Sequence, residues 1–595
     1  MRAMLARSRT LASRPLKPLG IALVVSIALP VAVRPDALVV TKAMTATTIA
    51  EIFVEDDYVR LELEIGVPDL AGFPNLLPDP LYERLGNEPE PLPRRIPRFF
   101  HEDFVIRSDG GAALVGRIEE MEARPRVQRD EVTGEPLPVA DEEKAEPVVF
   151  ARIVYPLKGH PRTMSVGLPH GAEGPSASIG FVLYHRGLPV NDFRYLGREE
   201  TVRFDWKDPW FSKFDNRNLW RQYDVPVSAF LYVEPYEVRK EIVLRPRDLQ
   251  PWVDLGLEGK DVITVEEQPE IKRQVVEFLA QKNPVTIDGN AAEGRLDRVH
   301  FIYRNLRTSG VINPPRDLDA FSATLGVIFY YPVNGLPQEV TMEWELFNEK
   351  LVYIPSSATD EAGPLPYRLM PDDPVLRWQN FLKNPTLPGL VDIEEPPVLG
   401  RLWMALGALV CGLGLAWVIA RHGAAAMRGQ KPPWRTAVLA LVLLALGGLS
   451  LTRAARPSWA SDQKADGVVL ALLENVYRSF DYRDESVIYD SLERSVTGDL
   501  LTDTYLETRR SLELENQGGA RAKVTDVEMV ESSHTPLTGG VGFESLLTWN
   551  VKGSVGHWGH VHQRQNQYRA RVSVQAVEGR WRITALDLLE EERTQ

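Results

Sequence analysis

Three of the ten histidines in the chain fall within the stretch Gly556-His557-Trp558-Gly559-His560-Val561-His562-Gln563-Arg564. Neutral imidazole is a good ligand for Zn, Cu or Ni, and two imidazoles two residues apart on a strand, with a third at the preceding turn, can reach one ion. His557, His560 and His562 are therefore the candidate metal ligands, and Zn, Cu or Ni the candidate cofactors. No Asp, Glu or Cys lies inside the cluster, so its donor set is imidazole alone. Acid–base chemistry would need a carboxylate to orient one of these rings; Asp481, Asp484 and Asp587 are the acids of the same region that could serve.

A strand from His560 to Val577 would place His560, His562, Arg564, Asn566, Tyr568, Ala570, Val572 and Val574 on one face. Val572 and Val574 belong inside a core, so this face should run from an apolar end to a polar mouth. That makes Arg564, Asn566 and Tyr568 candidate pocket-binding residues. Upstream, Val469, Leu472, Leu473, Val476, Tyr477 and Phe480 keep helical spacing, and further helices are expected at Glu485 to Arg494 and Asp499 to Glu515. Strands are expected at Ala520 to Met529, Phe543 to Val555, His560 to Val577 and Arg580 to Leu588. Helices first, then long antiparallel strands, resembles the NTF2-like cone fold over residues 461–595. That superfamily includes small enzymes, ligand binders and interaction modules, so the resemblance implies a fold and no single activity.

A second chemical concentration lies between 204 and 236, where Phe204, Trp206, Trp210, Phe211, Phe214, Trp220, Tyr223, Phe230, Tyr232 and Tyr236 alternate with Lys207, Lys213, Arg217 and Arg221. Aromatic faces with fixed donors suit a carbohydrate or protein partner, which makes Trp206, Trp210, Phe211 and Trp220 candidate partner-binding residues. Sandwich core plus an aromatic-stapled loop is the plainer reading of the same residues.

Around this segment the pattern is strand and turn. Val59, Leu61, Leu63 and Ile65 alternate with Arg60, Glu62 and Glu64, and Val340, Met342, Trp344 and Leu346 alternate with Thr341, Glu343 and Glu345. A hairpin is expected from Phe104–Arg107 and Ala112–Ile118 around Ser108-Asp109-Gly110-Gly111. Ile271, Val275, Phe278 and Leu279 mark a helix. Many short strands point to two β-sandwiches in succession, 37–260 and 261–361. Residues 66–97 hold eight prolines and read as an extended loop over a sheet edge, residues 122–147 as an exposed insertion, and residues 362–398 as a semi-rigid Pro-rich spacer.

Three apolar runs set the topology. Arg2, Arg7, Arg9, Arg14 and Lys17 precede the run from Leu19 to Val33, the layout of a signal peptide or signal anchor at 1–33. Residues 402–420 and 436–451 carry no charge and suit a transmembrane hairpin, with the Arg421, Arg428, Lys431 and Arg435 loop (421–435) on the cytoplasmic side. Ala408, Gly412 and Ala416 offer one helix a small-residue face, and Gly447 and Gly448 the other. Neither run carries an ionisable group, which argues against a transport path.

Composition narrows the classes further. The chain has 595 residues, 68 Lys+Arg against 82 Asp+Glu, a net charge of −14 and a single Cys. Nucleic-acid binding lacks its electrostatic basis, and neither a disulfide framework nor a cysteine zinc site is possible. The G-x-S-x-G, Walker A, H-E-x-x-H and G-x-G-x-x-G motifs are absent, so the common hydrolase, nucleotide and zinc-protease readings lose support. The expected protein is multidomain: an all-β sandwich-like exported region, a two-helix transmembrane hairpin and a C-terminal α+β cone-like domain. It is expected in the inner membrane with both soluble parts on the periplasmic side, as a non-enzymatic scaffold or accessory subunit with envelope protein partners. A metal-handling protein is the first alternative, and an enzyme or ligand binder using the cone pocket the second.

Overall fold

The computed structural model describes residues 42–593 apart from residues 44, 110, 128–145, 172–173, 305–308, 386–388, 395–398, 430–433, 456–461, 515–519, 522, 538–540 and 559. The signal segment at 1–33 and most of the insertion at 122–147 lie outside the described residues.

Strands β1 (Thr48–Val54) and β2 (Tyr58–Gly66) form the first hairpin, and Val59, Leu61, Leu63 and Ile65 are all fully buried, as their alternation predicts. Residues 66–97 carry more structure than an extended loop. Two short helices, α1 (Asp79–Arg84) and α2 (Leu92–Arg98), fold around the fully buried Arg95. Its guanidinium donates to the carbonyls of Glu90, Pro74 and Leu77 and to Asp79, the kind of multi-acceptor arrangement a planar fork of N–H groups can satisfy.

The sandwich is completed by β3 (Val105–Ser108), β4 (Arg117–Pro125), β5 (Pro147–Pro156), β6 (Thr163–Gly167), β7 (Ile179–His185), β8 (Arg194–Leu196) and β9 (Glu200–Arg203). The larger sheet runs β8-β7-β1-β2-β5-β4, with β1 and β7 parallel, and the smaller runs β9-β6-β3. The hairpin expected around residue 110 forms only at its tip: an antiparallel Arg107–Ala113 bridge is flanked by bonds from Gly111 N–H to the Ser108 carbonyl and from Leu114 N–H to the Ile106 carbonyl. Beyond it the two segments part, β3 joining the smaller sheet and β4 the larger.

A second sandwich repeats this plan strand for strand: β10 (Ser228–Val233), β11 (Glu237–Leu244), β12 (Val285–Ile287), β13 (Arg295–Arg304), β14 (Thr324–Pro332), β15 (Glu339–Glu343), β16 (Ile354–Asp360), β17 (Gly363–Leu369) and β18 (Val375–Gln379). Its larger sheet runs β17-β16-β10-β11-β14-β13, with β10 and β16 parallel, and its smaller sheet runs β18-β15-β12. Each of these strands occupies the position of the strand nine earlier, while the short strands Leu188–Pro189 and Lys213–Phe214 of the first unit and Asn290–Ala292 and Ser309–Val311 of the second lie outside the shared plan. Helix α3 (Gln268–Ala280) lies in the β11–β12 connection, the counterpart of the segment that carries α1 and α2, and buries Ile271, Val275 and Leu279. Val340, Met342, Trp344 and Leu346 are all buried.

This unit therefore opens at Ser228, ahead of residue 260, because β10 and β11 pair with β14 and β16 of the same sheet. It also takes in residues 363–379 of the Pro-rich stretch. Pro364 and Pro366 sit on the edge strand β17, where a missing N–H costs no ladder bond.

The two sandwiches meet at Arg245, which is fully buried. It bonds both oxygens of Asp208 at 3.0 and 3.1 Å, both oxygens of Asp248 at 2.7 and 2.8 Å, and the Phe321 carbonyl at 2.8 Å.

Helices α4 (Leu399–Met427) and α5 (Trp434–Ala455) contain spans, Leu402–Ala425 and Trp434–Thr452, long and apolar enough to cross a membrane. Trp403, Leu409, Leu413, Trp417, Leu441 and Leu444 are exposed, which a soluble core helix would not allow. The seam between the helices keeps part of the expected small-residue faces, with Gly447 beside Ala408, and differs at Gly412 and Gly448. A Cβ on Gly447 would lie 3.1 Å from Cys411 and one on Gly414 3.2 Å from Leu443, while Gly412 and Gly448 would meet nothing within 4 Å.

Beyond the hairpin come α6 (Asp462–Arg478), α7 (Glu485–Leu492) and α8 (Gly498–Leu512), then a four-stranded antiparallel sheet β19-β20-β21-β22 made of Lys523–Pro536, Gly542–His557, His560–Val577 and Arg580–Arg593. One face packs on the helices through Leu472, Leu473, Leu547, Trp549, Val572 and Trp581.

Replacing Arg245 by Met would leave Asp208 and Asp248 buried without their cation. We expect a loss of about 3–5 kcal/mol, read as a lower unfolding midpoint of the sandwich region. Arg273→Met, on an exposed helix face, should change that midpoint little.

Candidate functional site

The β20–β21 hairpin carries the histidine cluster. Its register pairs His557 with His560 and Val555 with His562 across a two-residue connection. The side chains of His557, His560, His562 and Arg564, and residue Gly559 altogether, lie outside those described. Among the described residues no group of three or more His, Cys, Asp or Glu is placed to hold a metal. Further along β21 the expected face is found: Asn566, Tyr568, Ala570, Val572 and Val574 are buried, while Arg569 and Arg571 are exposed. Asn566 donates to the Tyr568 hydroxyl at 3.0 Å, and Tyr568 stacks on Trp549 with ring centroids 5.7 Å apart. These two side chains are part of the packed interior. Of the three acids named above, Asp484 caps α7 through the Ser486 N–H, Asp587 pairs in register with Arg571, and Asp481 is placed below.

The tip of this hairpin does something the sequence does not announce. Trp558 adopts φ +53°, a conformation unfavourable for a bulky residue, and its ring is 1 % exposed. It is buried outside its own domain, among Phe230, Val243, Ile302 and Ile328 on the outer face of the second sandwich. The socket depends on Gly326, since a Cβ there would fall 2.3 Å from the Trp558 ring. The Trp558 N–H donates to Glu241 Oε2 at 2.7 Å. Burial of the ring holds the strained turn in place.

Charge complementarity surrounds the socket. Glu237, Arg239 and Glu241 alternate along β11, and Asp297, Arg298 and Glu234 lie beside them. The C-terminal domain answers with Arg483, bidentate to Glu237 at 2.6 and 3.3 Å and bonded to Asp297 at 2.9 Å, and with Lys523, 2.8 Å from Glu234. Tyr482 lies against Tyr236 with centroids 4.7 Å apart. Just before the membrane hairpin, Val391 exchanges two hydrogen bonds with the Asn475 side chain, and the Ile393 carbonyl accepts from Trp581 N–H.

These contacts shift the acids unequally. Burial pushes Glu241 up to about 7 against the pull of Arg239 and Arg298. Arg239 is shared among Glu237, Glu241 and Glu234 at 3.4, 3.6 and 4.0 Å, so it does not neutralise them all. Burial likewise raises Asp481 to about 7 despite Lys523. Burial would raise Glu237 too, but Arg483 and Arg239 outweigh it and hold it at about 2.

The aromatic side chains of the segment are half-buried or buried and make contacts within the chain. Trp206 stacks on His160 at 4.2 Å and donates to the Pro161 carbonyl, while Trp220 donates to the Phe214 carbonyl under Lys213. Phe211 lies beneath Lys350 at 4.6 Å, and Trp210 beneath Arg221 at 4.0 Å. Together they line the joint between the sandwiches. No known protein family matches the chain, and no curated protein does either.

Trp558→Ala should cost about 3–5 kcal/mol and release the C-terminal domain, seen as faster proteolysis between residues 380 and 398; Gly326→Leu should release it from the other side. Protonated Glu241 and Asp481 are favoured by docking, so docking should weaken as pH rises from about 4 to 7. Glu237 opposes this only as pH falls below about 4, towards its lowered value. Glu241→Gln should remove about half of the change and leave the share of Asp481.

Proposed function

We propose that the protein is a membrane-tethered scaffold or accessory subunit of a membrane-associated complex, presenting its two sandwiches and C-terminal domain as one docked body outside the inner membrane. The observation that carries this reading is the insertion of Trp558 into the second sandwich, backed by Arg483 and Lys523 on its acidic face. The segment just before the paired helices touches Asn475 and Trp581 of the domain that follows them, which supports placing both soluble parts on one side of the membrane. The signal-like amino-terminal segment and the basic loop between the helices favour the periplasmic side. The helix-and-sheet order of the C-terminal domain favours an NTF2-like architecture, with Leu547, Trp549 and Val572 buried on its inner face. Phosphatase fused at the carboxyl end should be active, and in-cell crosslinking should retain a stoichiometric partner. A cytosolic carboxyl end, or a monomer with no crosslinked partner, would overturn the proposal.

A metal-handling role is the second reading, favoured by a register that pairs His557 with His560 and sets His562 two residues further on. Metal analysis of the purified protein should then find Zn, Cu or Ni, lost when all three are replaced by Ala. No bound metal in the native protein ends this reading.

A further inference from the structure

A space of about 650 Å³ lies between the two sandwiches, walled by the β7–β8 region on one side and by the outer face of the second sandwich on the other. Its floor is apolar, with Val182, Leu188, Val243 and Ile302 buried, and aromatic rings stand around it: Tyr184, Trp210, Tyr223 and Tyr303. Three arginines line this space, an exposed Arg316 at its rim and, deeper, Arg221 and Arg304. Arg221 is occupied, donating to the carbonyls of Pro189 at 2.8 Å and Trp210 at 2.6 Å. Arg304 bonds Ser228 Oγ at 3.0 Å, lies 3.7 Å from the Tyr223 ring centroid and also bonds the Tyr223 side chain, while its buried Nε meets no acceptor among the described residues.

Neither Arg221 nor Arg304 has a carboxylate within ion-pair distance among the described residues, although three acids line the same space. Asp192 is turned to Arg194 and the Gln222 N–H, Asp317 to the Val265 N–H, and Asp319 to the N–H groups of Phe321 and Ser322. Burial accordingly lowers both guanidiniums, Arg221 to about 9. A buried cation held on carbonyls and aromatic faces, beside room for a molecule, favours an incoming anion. The floor and the rings ask that this anion carry an apolar, flat body.

We propose that the space between the sandwiches binds an amphipathic anion: a carboxylate or another oxyanion, seated on Arg304 with Arg221 behind it, attached to an apolar ring system that fills the floor. The site is independent of the scaffold reading, since it needs only the two sandwiches and no partner.

Calorimetric titration of the full chain in phosphatidylcholine nanodiscs, with empty nanodiscs as the blank, tests it using naphthoate, the neutral naphthylmethanol and inorganic phosphate. Naphthoate should bind saturably, about tenfold or more tighter than either other probe, because a charge-assisted hydrogen bond and an apolar body are both required. Arg304→Gln should weaken naphthoate by about tenfold while leaving naphthylmethanol unchanged. Ser322→Phe, which fills the space from its rim, should abolish binding of both and serves should the Arg304 variant fail to fold. No saturable naphthoate binding by the native chain, equal affinity for naphthoate and naphthylmethanol, or phosphate binding as tightly as naphthoate would each overturn the proposal. So would an unchanged naphthoate isotherm in a folded Arg304→Gln or Ser322→Phe variant.

Discussion

A sheet face that carries Glu234, Glu237, Glu241 and Asp297 against Arg239 and Arg298 cannot be closed off from water on its own terms, because burying unpaired carboxylates is expensive. The chain closes it with cations from a domain more than two hundred residues later. Arg483 and Lys523 supply the missing charge, and Trp558 supplies the apolar plug that excludes water. The two effects need each other. Without the plug the ion pairs would be solvent-screened and weak; without the cations the plug would bury like charges. Glu241, bonded to the Trp558 backbone and left with only a share of Arg239, is where the balance is closest.

The same economy of buried arginine recurs through the two sandwiches. Arg95 gathers the Pro-rich segment, Arg245 locks the joint, and Arg221 ties two loops by their carbonyls. Each holds irregular backbone, which has no ladder of its own to satisfy its polar groups. The nine-strand plan used twice places these joints between two bodies of like architecture. The socket for Trp558 and the space beside Arg304 share Val243 and Ile302, so the outer face of the second sandwich serves both.

Much of the fold is legible in the sequence wherever one face is wet. The alternations at Val59–Ile65 and Val340–Leu346, the stripe Ile271, Val275, Leu279, and the inward face from Asn566 to Val574 all follow from period alone. What is not legible depends on partners distant in sequence. Glu237, Arg239 and Glu241 have the pattern of a solvated strand face, and only the later domain buries them. Pro364 and Pro366 read as a spacer because nothing local says that an edge strand would tolerate them. The small-residue stripe at Ala408, Gly412 and Ala416 is real, but the rotation that brings Gly414 and Cys411 to the seam is set by the other helix. The duplicated plan leaves no long sequence repeat, since topology constrains which faces are apolar and not which residues supply them. The metal candidates illustrate another limit: spacing defined the ligand types, and register adds only that His557 faces His560 across the hairpin.

The clasp formed by Val391 with Asn475 and by Ile393 with Trp581 has a consequence for biogenesis. Its two halves are separated by the paired apolar helices, so in a membrane it could be fastened only if those helices crossed the bilayer an even number of times. A chain that crossed once would keep Trp558 and Arg483 from the second sandwich and leave the acidic sheet bare. On the proposed topology, an exposed Trp558 loop would mark a chain whose insertion is incomplete.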